Sequence, residues 1–215
     1  EVVDAALAEG RGLLLLTPHL GCFEITAQAY AERFGAHKPV TALYRPAKQA
    51  WLAKLMKNAR NRPGMLTSPA TLSGVRQMLR ALKKGETVGL LPDQVPPEGM
   101  GVWAPFFGRP AYTMTMAAKL VAQTGCAVVL LRGERLGWRA RRHHRCDYIV
   151  HADRVAADLE QVLAGGDAAQ SAATVNRLME AMIMQAPEQY LWGYNRYKGP
   201  RAEILTSATG TEGQS

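Results

Sequence analysis

A chain of 215 residues with 47% hydrophobic and 20% charged residues has enough apolar material for one generous domain with a substantial core, which excludes wholesale disorder. The formal net charge of +8 favours anionic partners: acidic proteins, lipid headgroups, phosphorylated substrates or nucleic acid. Three cysteines (Cys22, Cys126, Cys146) at unpatterned spacing read as reduced thiols in a cytosol-facing protein, and no run approaches the roughly 20 apolar residues of a membrane span.

In chain order, EVVDAALAE (1–9) reads as the end of a helix, closed by Gly10 and Gly12. LLLLT (13–17) is a continuous apolar run, the signature of a strand buried on both faces. A helix follows from about Gly21 to Phe34, with Gly35 as its stop, then the strand KPVTALYR and the helix AKQAWLAKLMKNAR. TLSGVRQMLRALKKG reads as a helix and TVGLLPD as a strand. Residues 94–111, rich in Pro and Gly, read as a long ordered loop whose Trp103, Phe106 and Phe107 form a lip at a membrane surface or cap the core. TMTMAAKLVAQTG reads as a helix, CAVVLLRGE as a strand, and GWRARRHHRCDYIVHA as a strand or hairpin. The last helix spans about 168–185, and the polar tail after Arg201 is expected to be disordered. The alternation of strands and helices indicates an α/β domain: a central, mostly parallel or mixed sheet flanked by helices.

Three polar residues fall just past apolar runs read as strands: His19, Arg45 and Asp93. Active sites of α/β sheets gather where strands end, so these three are expected in one site. In TPHLGCFE, Pro18 ends the strand and His19 precedes a helix. An imidazole there can take a proton from a hydroxyl, and does so better when a carboxylate holds its other nitrogen. Glu24 is a candidate for that carboxylate if the segment bends, because an interval of five does not stack on a regular helix. Amides around Gly21 and Cys22 are candidate oxyanion donors. A bland reading stands beside this one, with His19 as a helix cap and Glu24 as a solvated acid. Cys22 reads as core, and His19 with Glu24 lacks a third ligand at zinc-site spacing, so no metal is expected.

RARRHHRC (139–146) is the most basic stretch, but it has neither aromatic interleaving nor paired Cys-x2-Cys spacing; it reads as a solvated hairpin facing acidic lipid or protein. Met114, Met116, Met179, Met182 and Met184 fall at helical spacings, as core or as the lining of an acyl tunnel. Neither a serine-hydrolase elbow nor a nucleotide-binding glycine motif occurs.

The blocks TPHLGCFEI (17–25), LYRPAKQAWL (43–52), ARNRPGML (59–66), LKKGETVGLLPDQ (82–94) and APEQYLWGYNRYK (186–198) occur in an order that resembles the lysophospholipid acyltransferase-like superfamily. The glutamate of the first block resembles the lipid A branch, the lauroyl/myristoyl-type lipid A biosynthesis acyltransferases. The resemblance implies a glycerolipid acyltransferase-like fold over residues 1–200 and transfer of an acyl chain to a hydroxyl of a lipid A precursor. It implies acyl carrier protein, or acyl-CoA, as donor, no cofactor, no nucleic acid, and work against the cytoplasmic face of the inner membrane. By the same resemblance His19 is the general base and Glu24 its orienting acid. Arg45 and Arg60 (or Arg62) bind lipid phosphates or the carrier's phosphopantetheine, and Asp93 fixes the arginines or the site. An Arg45–Asp93 ion pair bridging two loops is the alternative for those two residues. Family members carry an N-terminal membrane helix, and with Glu1 in place of Met this chain is expected to be a piece lacking it. The closing block has Tyr194 and Asn195 before Arg196 where the family commonly has a His-Arg pair. Acylation of another lipid, such as a glycerophospholipid or ornithine lipid, and a silent lipid- or nucleic-acid-binding module are the competing readings.

Overall fold

The computed structural model describes residues 1–44, 63–69, 71–144 and 146–200. The expected helix AKQAWLAKLMKNAR, the candidate residues Arg45 and Arg60, and the tail after Arg201 lie outside the described residues.

Eight strands and seven helices are described: α1 (Val2–Ala8), β1 (Leu13–Leu16), α2 (Phe23–Phe34), β2 (Val40–Tyr44), β3 (Met65–Pro69), α3 (Leu72–Lys83), β4 (Thr87–Leu90), β5 (Gly101–Phe106), β6 (Arg109–Met114), α4 (Met116–Thr124), β7 (Ala127–Arg135), α5 (Trp138–His144), β8 (Tyr148–Arg154), α6 (Ala157–Gly165) and α7 (Ala168–Ile183). Six strands form one sheet in the order β3-β2-β4-β1-β7-β8, parallel except for the antiparallel edge strand β8. Strand β1 lies inside it, paired with β4 on one side and β7 on the other, and all four of its leucines are buried.

Side-chain alternation assigns each β1 residue to a core. Leu14 and Leu16 join Val88, Leu90, Val128 and Leu130 in the core beneath α3, α4, α6 and α7. Leu13 and Leu15 point the other way, to Ala127, Val129 and Leu131 with Tyr30 and Ala31 of α2 and Val3 and Ala6 of α1. A strand with two buried faces has no use for polar residues, which is why LLLL carries no alternation. Among the described residues no helix is long and apolar enough to cross a membrane.

Three expectations need correction. The stretch 94–111 is not a plain loop: it contains β5, and with β6 this makes a separate antiparallel hairpin whose Phe106↔Arg109 register leaves a two-residue turn. Phe107 and Gly108 both take positive φ (46° and 72°), the turn that matches strand twist. The left-handed Phe107 is held by its N–H donating to Glu180 Oε1 at 2.8 Å and by ring contacts to Phe106 and Trp192. Second, the basic stretch is helical: α5 takes up 138–144, and only the residues after it form β8, because its apolar content is too low to sustain a strand there. Third, helix α2 begins at Phe23 rather than at Gly21, since Gly21 is at φ +56° and pairs with Gly133 in an isolated bridge. A Cβ on Gly21 would run into the Gly133 carbonyl, so the close approach of the two backbones requires glycine there.

Candidate active site

The register of two neighbouring parallel strands builds the site. Leu16, the last residue of β1, pairs with Leu90, the last residue of β4. His19 and Asp93 each lie three residues beyond those ends, so equal extensions bring them side by side. The His19 backbone N–H donates to Asp93 Oδ2 at 2.8 Å, and its ring Nδ1 lies 2.7 Å from Asp93 Oδ1. One carboxylate therefore fixes both the backbone and the ring. Asp93 is 1% exposed, while the His19 ring keeps some contact with solvent. Phe23 packs edge-on against that ring, centroids 4.9 Å apart.

These contacts fix the histidine's tautomer. An ionised carboxylate only accepts, so Nδ1 carries the proton and Nε2 is left with a bare lone pair. The Gln94 amide nitrogen sits 3.1 Å from Nε2 and donates to it. A proton on the acid side and an accepting lone pair on the other nitrogen is the arrangement a general base needs.

The orienting contact assigned to Glu24 from the sequence is thus made by Asp93. Glu24 stands in the first turn of α2, exposed, on the rim of an apolar slot. That slot lies between α2 and the sheet, and Leu15, Thr17, Phe23, Val40, Gly89 and Met65 are among its walls. Met65 belongs to none of the methionines picked out from the sequence. Those in the helices pack elsewhere: Met179 and Met182 are buried in the α7 core, and Met184 is exposed.

The expected oxyanion donors are also corrected. Gly21 N–H donates to Gln189 O at 2.9 Å and Cys22 N–H to Gly133 O at 3.1 Å, so the loop's amides are consumed in holding its own shape. The segment after α7 acts as a strap on this loop. Leu20 and Tyr190 form an antiparallel bridge, Leu191 N–H donates to His19 O at 3.1 Å, and Val95 N–H donates to the Tyr194 hydroxyl at 2.9 Å.

Behind Asp93 lie two buried groups. Burial, and after it the charge of Asp93, push the Tyr190 phenol well above its ordinary value, so it stays neutral. Arg196 is 3% exposed and donates to Tyr112 O (2.8 Å), Thr113 Oγ1 (2.8 Å) and Asn176 Oδ1 (3.3 Å). Burial pulls its pKa below the usual arginine range, opposed by nearby Tyr190 and Asp93. It ties the β5–β6 hairpin to α7 and adds positive charge behind the carboxylate. Gln94 and Tyr190 were not singled out from the sequence; the signal available was that each lies within a block of the family pattern, one directly after Asp93.

A doubly covered α/β sheet that presents a histidine held by a buried carboxylate, beside an apolar slot, has the parts of a candidate general-base site for a ligand with a hydrocarbon part. Comparison with known proteins narrows this class. Residues 1–199 match the family model described as bacterial lipid A biosynthesis acyltransferase, and the chain belongs to that family. It is 28% identical over 196 residues to the lipid A biosynthesis palmitoleoyltransferase of Escherichia coli K12, covering 90% of this chain and 58% of that protein. It is 29% identical over 193 residues to the lipid A biosynthesis lauroyltransferase of the same organism, covering 89% and 58%. A lipid A biosynthesis acyltransferase of Haemophilus influenzae is 26% identical over 192 residues, covering 89% and 55%. The chain thus spans less than two thirds of the length of these relatives.

Proposed function

We propose that this domain carries the catalytic centre of an O-acyltransferase that moves a fatty acyl chain from an acyl carrier protein thioester, or acyl-CoA, to a hydroxyl of a lipid A precursor at the cytoplasmic face of the inner membrane. The observation that carries this reading is the His19 geometry: Nδ1 2.7 Å from the buried Asp93 carboxylate and Nε2 3.1 Å from the Gln94 amide. In the reaction, the acceptor hydroxyl gives its proton to His19 Nε2 while its oxygen bonds to the thioester carbonyl carbon. The carbonyl electron pair moves to oxygen; on collapse the carbon–sulfur bond breaks, and the imidazolium returns the proton to the departing thiolate. Asp93 stabilises the imidazolium, and the apolar slot takes the acyl chain. Glu24 at its rim accepts a hydrogen bond from the acceptor sugar, and Arg45 and Arg60 bind its phosphates through their paired donors.

The test is transfer from lauroyl- or myristoyl-carrier protein to a tetraacylated lipid A precursor, read by mass spectrometry. The unsubstituted protein is expected to add one acyl group, and His19→Ala to lower the rate by about 10²–10⁴-fold with the fold intact. Retention of most activity by His19→Ala would sink the assignment of the base.

A further inference from the structure

We propose that Gln94 is a further catalytic residue, its side-chain amide stabilising the oxyanion that forms when the thioester is attacked beside His19. The inference rests on the acyltransferase reading above. That chemistry places a full negative charge on the former carbonyl oxygen, and a donor must stand within hydrogen-bond reach of it.

The loop amides from His19 to Cys22 do not supply that donor. His19 N–H is committed to Asp93, Leu20 N–H to Pro18 O (2.7 Å), Gly21 N–H to Gln189 O and Cys22 N–H to Gly133 O. Freeing any of them would undo the strap or the pairing that shapes the loop. Among the described residues, the side-chain donor against the reactive nitrogen is Gln94, whose amide lies 3.1 Å from His19 Nε2. Its orientation follows from chemistry: because Asp93 holds the proton on Nδ1, Nε2 can only accept, so Gln94 must present NH₂ there rather than its oxygen.

An incoming hydroxyl has to take this place on Nε2. Its arrival releases the amide within about one hydrogen-bond length of the bond being formed. Gln94 is half-buried and so has room to make this shift, while its neighbours stay fixed by Asp93 on one side and by the Val95 N–H bond to Tyr194 on the other. Neutrality matters as well. A cation in this position would oppose proton uptake at Nε2, whereas an amide stabilises the oxyanion without repelling the imidazolium.

The test compares Gln94→Met, which keeps length and volume but has no donor, with the unsubstituted protein in the transfer assay. The binding of two donor analogues is measured alongside. One replaces the thioester carbonyl by a methylene; the other replaces it by a tetrahedral anionic phosphonate. The expected result is a fall in kcat of about 10²–10³-fold with KM held within a few-fold. The methylene analogue should bind both proteins equally, showing an intact pocket, and the phosphonate should lose a comparable factor in affinity only in the variant. A kcat within about five-fold of the parent, a rise in KM alone, or equal phosphonate binding would each overturn the proposal while leaving the acyltransferase reading standing. If Gln94→Met loses the methylene analogue too, Gln94→Ala is put through the same measurements, and loss of that analogue in both variants overturns the proposal by making Gln94 a structural residue. Absence of transfer by the unsubstituted protein would overturn the reading and this inference with it.

Discussion

Two histidine–carboxylate pairs stand out at the sheet among the described residues, and one of them is the candidate base. His19 Nδ1 lies 2.7 Å from Asp93, and His151 Nε2 lies 2.9 Å from Glu134. By distance they are equivalent; by surroundings they are opposites. Asp93 is 1% exposed and its carboxylate oxygens go to the His19 ring and backbone, whereas the Glu134 side chain is 30% exposed and its Oε2 is shared with Arg132 at 2.8 Å. Each acid has a buried arginine nearby, but Arg132 bonds Glu134 directly and offsets its charge, while the terminal nitrogens of Arg196 go to a carbonyl, a hydroxyl and an amide. Among the described residues no cation bonds Asp93 directly, so its negative charge is available to the imidazolium. A close contact makes a pair; a buried acid that no described arginine bonds is the better candidate for orienting a base.

That comparison breaks first on the acids. Asp93→Asn should flip the His19 tautomer preference and lower kcat on the order of 10³–10⁴-fold, and Glu134→Gln should leave kcat within a few-fold. Both are read in the carrier-protein transfer assay. Equal losses at the two positions would make the distinction drawn here false. Glu24→Gln in the same series separates the two acids near His19: a loss in KM fits a residue on the slot's rim, and a loss in kcat alone fits one that acts on the base.

A smaller effect is expected at Arg196. Replacing it by methionine removes a donor from Tyr112 O and Asn176 Oδ1, each loss costing about 1–3 kcal/mol if water cannot reach the acceptor, while Thr113 Oγ1 keeps the Asn176 amide at 2.9 Å; the relief of burying a charge offsets part of this. A net loss of about 2–4 kcal/mol in urea-unfolding stability is expected. His19 stays in place in this variant, so kcat should fall less than in Asp93→Asn.

The strand ends were legible in the sequence because their strands are buried on both faces: LLLL before His19 and VGLL before Asp93 can be nothing but interior strands in an α/β alternation. The partnership of His19 with Asp93 was not legible. It joins residues 74 apart and depends on β4 returning to lie beside β1, which no local pattern encodes. Local reading offered Glu24 instead, the nearest acid in sequence. The β5–β6 hairpin was hidden for a different reason. Pro105 and Pro110 face each other across it and suppress the strand signal, and its turn uses Phe-Gly where Asn-Gly would have announced it. The oxyanion donors misled for a third reason, since amides near a helix N-terminus are free in the abstract, and here the strap and Gly133 take them.

The smallest effect concerns pH. Hydrogen bonding from Arg132, and then from His151, holds the Glu134 carboxyl below its usual range, against the opposing cost of partial burial. A folded-state value below the unfolded one means that stability is fully present above the unfolded carboxylate pKa, and is lost as pH falls through the folded value. The contribution is limited by solvent screening to about 1 kcal/mol at most. The unsubstituted protein should therefore unfold at a higher urea midpoint than Glu134→Gln at pH 7, and the difference should close as the pH is lowered below the ordinary carboxylate range. A gap that persists undiminished at low pH would mean that Glu134 stabilises the β7–β8 edge through packing rather than charge. Its pairing with His151 would then differ from that of His19 with Asp93 in kind, and not only in how its charge is shared.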